Sequence, residues 1–262
     1  MILTKIHIDK TAQRKFSQAA FLYEELSPLH QTIGKELIDG VNRLDKPIYI
    51  LDIGMGTGWL TEKISETFPQ SYVVGIDFAD GMVEAARQRN KKFSIIQGCA
   101  EKLPFQKESF DLIFSNLAYQ WVRSLPLAFS CAKNILKSQG KMIFTMFGYQ
   151  TFDELFMSFN NILSDRENCF FERLPKEEEI KKALNEAHFK NIKMRTEQRQ
   201  MIFPCMIDLI KWTKNIGANG LQRNFYVGKN LLDRAGEYYN NRFRNHKGVY
   251  ATFEVIWIEA QK

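Results

Sequence analysis

Through the middle of the chain, apolar runs of strand length alternate with stretches of helical period. Ile48, Tyr49, Ile50 and Leu51 form the first run, and Tyr72–Ile76, Phe93–Gln97, Phe110–Ser115 and Lys141–Phe147 read as further strands. Between them Trp59, Leu60, Ile64 and Phe68 keep a helical period until Pro69. Met82, Ala85 and Ala86 mark a second helix, and Pro126–Leu136 is a third, followed by a turn at Gly140. This alternation predicts an α/β fold with one parallel, doubly wound sheet over residues 48–147.

The flanks have other rhythms. Residues 10–43 carry Phe16, Ala19, Ala20, Tyr23 and Leu26, then Ile33, Leu37, Ile38 and Val41, at helical spacing. Ser27-Pro28 breaks the pattern into two, and Gly40 and Pro47 close it. Beyond the sheet, Thr151–Leu163 and Glu177–Ala187 read as helices, Ile192–Phe203 as a strand, Met206–Ile216 and Leu231–Phe243 as helices, and Val249–Ile258 as a last, alternating strand. Segments 149–172 and 204–244 are expected to be insertions over the sheet edge that form a helical lid, where substrate choice commonly resides. The expectation is a single domain over 1–262, with a helical cap (1–47) and a core (48–147).

Chemistry concentrates where the first strand ends. Asp52 precedes Gly54, Gly56 and Gly58 at alternate positions, and the glycines lead into the helix that begins near Trp59. A ligand can lie there against bare backbone and the positive end of a helix. The dinucleotide pattern G-x-G-x-x-G needs a third glycine where Trp59 stands, so a nicotinamide oxidoreductase ranks last. Asp77 ends the second strand, 25 residues after Asp52, where a carboxylate accepts hydrogen bonds from ribose hydroxyls. The competing role, an N-cap for the next helix, is open to Asp80 as well. Asn116-Leu117-Ala118-Tyr119-Gln120-Trp121 follows the fourth strand and faces the same crevice. Tyr23 in the N-terminal helices is a candidate cover for a bound ligand.

Composition narrows the class. At 262 residues and 45% hydrophobic content the chain suits one α/β core. No apolar stretch approaches the ~20 residues of a membrane span. The N-terminus, with Lys5, Asp9 and Lys10, has no secretory apolar core, so a cytoplasmic protein is expected. Cys99, Cys131, Cys169 and Cys205 lie more than 30 residues apart, which excludes a CxxC metal or redox motif. His7, His30, His188 and His246 are equally scattered and read as surface or packing residues, so no metal is expected. The net charge of +6 permits an anionic partner, while zinc-finger, RNP-like and long basic runs are absent, which argues against nucleic acid.

The pattern D-x-G-x-G-x-G resembles motif I of class I methyltransferases that use S-adenosylmethionine. More narrowly, the chain resembles the malonyl-acyl carrier protein O-methyltransferases that begin pimeloyl assembly in biotin synthesis. The marks are Phe16–Ala20 with Tyr23-Glu24, LDIGMGTGWLTE, GIDFADGM, GCAEKLPF, FDLIFSNLAYQWV, TFDELF (Thr151–Phe156) and IGANGL (Ile216–Leu221). The resemblance implies a Rossmann-like, seven-stranded sheet with a reversed last strand. It implies cofactor contacts at Tyr23, Asp52, Gly54, Met55, Gly56, Gly58, Asp77, Phe78, Met82, Cys99, Ala100, Glu101, Asn116 and Leu117, with Asp77 on the ribose, Phe78 and Met82 flanking the adenine and Cys99–Glu101 at its edge. Three departures stand out. Met55 replaces a frequent cysteine, Cys99 a frequent adenine-binding aspartate, and Lys137-Ser138-Gln139-Gly140 a usual Lys-Pro-Gly-Gly turn.

The implied reaction is methyl transfer to a carboxylate. That nucleophile is ionised at neutral pH, with a pKa near ~4, and needs no general base. Gln120, Tyr23 or a lid Arg or Lys are candidates to orient it, with Trp121 as an apolar wall. The implied partner is an acyl carrier protein, whose acidic surface suits Lys211, Lys214, Arg223, Lys229, Arg234, Arg242, Arg244 and Lys247, eight basic side chains between 204 and 247 against the three acidic ones Asp208, Asp233 and Glu237. A methyltransferase for another small acid or a quinone precursor, and a non-catalytic S-adenosylmethionine-binding module, are the rival readings.

Overall fold

A computed structural model describes residues 10–41, 47–89, 92–163, 173–218 and 228–262. Among these, five strands run in parallel: β1 (Tyr49–Ile53), β2 (Tyr72–Asp77), β3 (Ser94–Gln97), β4 (Phe110–Asn116) and β5 (Leu136–Phe147). Then β6 (Lys190–Phe203) and β8 (Gly248–Gln261) complete the order β3-β2-β1-β4-β5-β8-β6, with β8 antiparallel to both neighbours. A two-residue β7 (Arg244–Asn245) folds back on β8. The reversed last strand and the doubly wound sheet are therefore as the sequence leads one to expect. The order reverses between β1 and β4, which opens a crevice at their carboxyl ends.

Each face of the sheet is buried because its strands alternate. Ile50 and Asp52 of β1 face α3 (Pro28–Asp39), α4 (Trp59–Thr67) and α5 (Asp80–Arg89), while Leu51 and Ile53 face α6 (Leu125–Ile135) and α8 (Glu177–Glu186). The remaining helices gather near the carboxyl end of the sheet. These are α1 (Lys10–Ala19) and α2 (Tyr23–Leu26) of the cap, and α7 (Asp153–Ile162), α9 (Met206–Asn215) and α10 (Lys229–Arg242) of the two additions. The indole of Trp212 on α9 donates to the Leu26 carbonyl at 2.7 Å, joining the additions to the cap.

Two boundaries differ from the sequence reading. The cap has three helices rather than two, because the chain turns at 20–22: Ala20 is buried there while Phe21 points to solvent, 94% exposed. Strand β5 begins at Leu136, not Lys141. The pairing register with β4 shifts between Phe110 and Leu112, and Gln139 takes a left-handed φ of 64°, so the expected turn is a bulge inside the strand.

Candidate functional site

The glycine loop is folded onto the neighbouring strand. The amides of Gly54 and Met55 both donate to the Ile76 carbonyl, at 2.8 and 3.1 Å, and the Gly56 amide donates to Asp77 Oδ2 at 2.9 Å. The Ala79 amide holds the other oxygen, Oδ1, at 2.9 Å. Each carboxylate oxygen of Asp77 thus accepts from a backbone amide and, with lone pairs to spare, can accept from a ligand as well. Burial pushes its pKa up to about 6, against the pull of the Ala79, Gly56 and Phe78 amides.

This loop and the β4 end line a cleft that is open to solvent at its mouth. Tyr23, Gly54, Gly56, Asp77, Phe78, Met82, Cys99, Ala100, Glu101, Asn116, Leu117 and Trp121 all line it. Leu117 has a left-handed φ of 53°, and its amide donates to the Thr145 carbonyl at 3.0 Å; the sharp turn sends Ala118 and Tyr119 into the cleft wall. The side chain of Asn116 is engaged on both sides, Nδ2 donating to the His30 carbonyl (2.9 Å) and Oδ1 accepting from Thr145 (2.8 Å). The Glu101 carboxylate accepts from the Ser124 amide at 2.9 Å.

Three of the sequence-predicted residues lie behind the wall. Met55 is buried against Gly75, and Gly58 is the left-handed cap of α4, packed on Phe93. Asp52 is 1% exposed and accepts from the Thr61 hydroxyl at 2.6 Å. Its second oxygen has no partner; burial, opposed by Thr61 and reinforced by the negative Asp77, raises its pKa to about 7. Their placement makes them supports of the loop, tying it to α4 and β2.

A second, smaller chamber adjoins the cleft and shares Phe16, Tyr23 and Trp121 with it. Its walls are aromatic and aliphatic, among them Phe147, Phe152, Trp212 and Phe253, with Tyr23, His30, Gln120 and Thr151 as polar members. Of the candidates named from sequence to orient an acceptor, Gln120 and Tyr23 line it, and no described Lys or Arg does. Phe16 packs edge-on against Trp121 (5.2 Å) and Phe78 (6.0 Å), forming the partition between the two spaces. Tyr23 lines both, and burial together with Asp77 raises its pKa, so its hydroxyl stays a protonated donor. His30, read from sequence as surface or packing, packs against Tyr23, Phe147 and Trp212 and also lines this chamber, a placement the sequence did not indicate. It carries no motif, and only the fold of α3 over the β4 end brings it here.

Residues 51–144 match a family model described as a methyltransferase domain. The YcgJ protein of Bacillus subtilis superposes with a TM-score of 0.62 at 18% identity, over 89% of this chain and 98% of that one. Phosphoethanolamine N-methyltransferase 2 of Haemonchus contortus, solved in complex with S-adenosyl-L-methionine, superposes at 0.56 and 20% identity, over 93% of this chain and 56% of that one. The protein is a class I, S-adenosylmethionine-dependent methyltransferase. Its sequence is 30% identical over 255 residues to the malonyl-[acyl-carrier protein] O-methyltransferase of Methylococcus capsulatus, covering 94% of this chain and 91% of that protein. The chain belongs to the malonyl-[acyl-carrier protein] O-methyltransferase family. No described helix is long and apolar enough to cross a membrane.

Proposed function

We propose that the protein methylates the free carboxylate of a malonyl thioester on acyl carrier protein, giving the methyl ester that primes pimeloyl assembly in biotin synthesis. The observation that carries this is the pairing of two spaces across Tyr23, one floored by the glycine loop and one apolar with only uncharged polar groups among its described lining residues. In the cleft, the carbon a side chain would add at Gly56 meets nothing within 4 Å, so the loop leaves a cradle for a ligand. Asp77 would hold the ribose hydroxyls through its free lone pairs, Phe78 and Met82 would flank the adenine, and Cys99–Glu101 would border its edge.

S-adenosylmethionine supplies a methyl group already activated by the sulfonium. The chain's share is alignment and the exclusion of water. Phe16, Trp121 and Phe147 keep the acceptor chamber dry, and the neutral Tyr23 and Gln120 can hydrogen-bond a carboxylate without neutralising it by ion pairing. A carboxylate ionised at neutral pH brings its own nucleophile, so no residue here is asked to act as a base. Helices α7, α9 and α10 act as a lid that is integral to one domain. The cysteines described, Cys99, Cys131 and Cys205, are free, which fits a reducing cytoplasm.

Labelled S-adenosylmethionine offered with malonyl-carrier protein, malonyl-CoA and free malonate should yield a base-labile ester, fastest on the carrier. Equal or faster labelling of free malonate would defeat the carrier assignment.

The carrier would dock on the second addition, where Lys211, Lys214, Arg242, Arg244 and Lys247 are all exposed; Arg223 lies outside the described residues. Lys211 also pairs with Asp208 at 3.3 Å. A cationic face of this kind speeds encounter with an acidic partner, and salt weakens it as screening shortens to ~8 Å. Replacing Arg242, Arg244 and Lys247 together by Gln is expected to raise KM for the malonyl carrier several-fold at low salt and to leave cofactor affinity unchanged. Wild-type KM in the triple variant would remove this face as the docking site.

A further inference from the structure

Two residues in the wall of the acceptor chamber carry a buried polar atom that the fold leaves unused. His30, on the first turn of α3, has a buried Nδ1 with no hydrogen-bond partner, and Gln120 has a buried Oε1 in the same condition. Both residues line the chamber. Buried polar atoms are nearly always bonded, and leaving one unmet costs about 1–3 kcal/mol, so two in one small apolar space call for a partner that enters it.

Nothing about the His30 ring is left loose. Its edges and faces meet Tyr23 at 5.9 Å, Phe147 at 5.6 Å and Trp212 at 6.4 Å between ring centres. The backbone beneath it is anchored by Asn116, whose amide donates to the His30 carbonyl while Thr145 donates to the Asn116 oxygen. The end of β4 thus anchors the backbone beneath the ring and leaves Nδ1 without a partner. Burial lowers the ring's pKa to about 4, which keeps it neutral at ordinary pH, with one N–H and one lone pair to offer. The Gln120 amide, turned by half a rotation, presents its N–H2 group in place of the oxygen.

We infer that His30, with Gln120, is an uncharged hydrogen-bonding clamp for the oxygen atoms of the acyl acceptor, setting its position and selecting an acyl group that ends in a carboxyl over a plain alkyl one. This rests on the assignment of the second chamber to the acceptor. A charged clamp would hold the carboxylate more tightly in the ground state and blunt it as a nucleophile. A neutral one orients it and leaves its charge available to the transferring methyl group. An alkyl acyl group would leave both polar atoms unpaired and is rejected for that reason.

The test uses the full-length enzyme and the variants His30→Ala and His30→Asn; the Asn amide lies close to where Nδ1 was. Thermal melting and calorimetric binding of S-adenosylmethionine are measured first, then kcat and KM with malonyl-carrier protein. His30→Ala is expected to bind the cofactor as wild type does and to raise KM for the carrier roughly tenfold, the loss of about one hydrogen bond, with His30→Asn recovering most of the deficit. Ring-nitrogen NMR of the wild type, with S-adenosylhomocysteine and malonyl-carrier protein, is expected to show His30 Nδ1 shifting on addition of the carrier. Wild-type KM in His30→Ala, failure of Asn to rescue, or an unmoved Nδ1 signal overturns the clamp while the wild-type enzyme still makes ester. Absence of ester from the wild type overturns the assignment of the chamber itself, and the clamp with it.

Discussion

Gly56→Val is expected to lose S-adenosylmethionine binding by ~100-fold or more, two hydrogen-bond equivalents or above, while the sheet stays folded. Gly56 sits at φ 56°, where a β-branched residue is strained by about 1–3 kcal/mol. Its added carbon would point into the open cleft, with no protein atom within 4 Å, so the strain is tolerable and the ligand's space is what disappears. The neighbouring Gly54 makes the contrast. A carbon added there would come within 2.2 Å of the Ala118 side chain, so Gly54→Ala is expected to damage folding as well as binding. Calorimetry on Gly56→Val, with melting and circular dichroism to show an intact fold, decides the matter. Ordinary affinity in a folded Gly56→Val protein would reduce the loop to a turn.

Asp77→Ala is the second large effect, expected to weaken cofactor binding by about 2–3 kcal/mol, the worth of hydrogen bonds to a charged group. Both oxygens are pre-oriented by the Gly56 and Ala79 amides, so the carboxylate spends no freedom in meeting two hydroxyls. The variant leaves those two amides unmet but removes a carboxylate whose charge burial disfavours, with a pKa of about 6. Folded stability should therefore change far less than affinity. The charge also sets a pH signature. Ionised Asp77 accepts both hydroxyls, and protonated Asp77 does not, so wild-type affinity is expected to fall towards tenfold per pH unit below about 6. Asp77→Ala should lack that slope. A variant that melts early but binds normally, or keeps the slope, would assign Asp77 to structure alone.

The sheet was legible because its strands are short apolar runs set between glycines and helical stretches, and periodicity reports that directly. The glycine loop and Asp77 were legible for a related reason, since both sit at strand ends that the pattern locates. What sequence could not give was depth. Asp52, Gly54, Met55, Gly56 and Gly58 share one motif, yet only Gly54 and Gly56 line the cleft; Asp52, Met55 and Gly58 turn inward to Thr61, Gly75 and Phe93. The alternation of faces along β1 and the loop's left-handed turns decide which side each one shows. The second chamber was still less visible, because its walls come from α3, β5, α9 and β8, elements far apart in the chain. His30 is the clearest case: its place in that wall is anchored by a bond between its carbonyl and Asn116, 86 residues away.

Mass spectrometry of intact carrier protein tests the central claim most directly. Incubated with the enzyme and S-adenosylmethionine, malonyl-carrier protein is expected to gain the mass of one methyl group in place of a proton, all of it on the malonyl thioester and removed by mild base. Acetyl-carrier protein, which lacks the carboxylate, is expected to gain nothing. A methylated acetyl-carrier protein, or an unmodified malonyl-carrier protein in the presence of enzyme that binds the cofactor, would contradict the account.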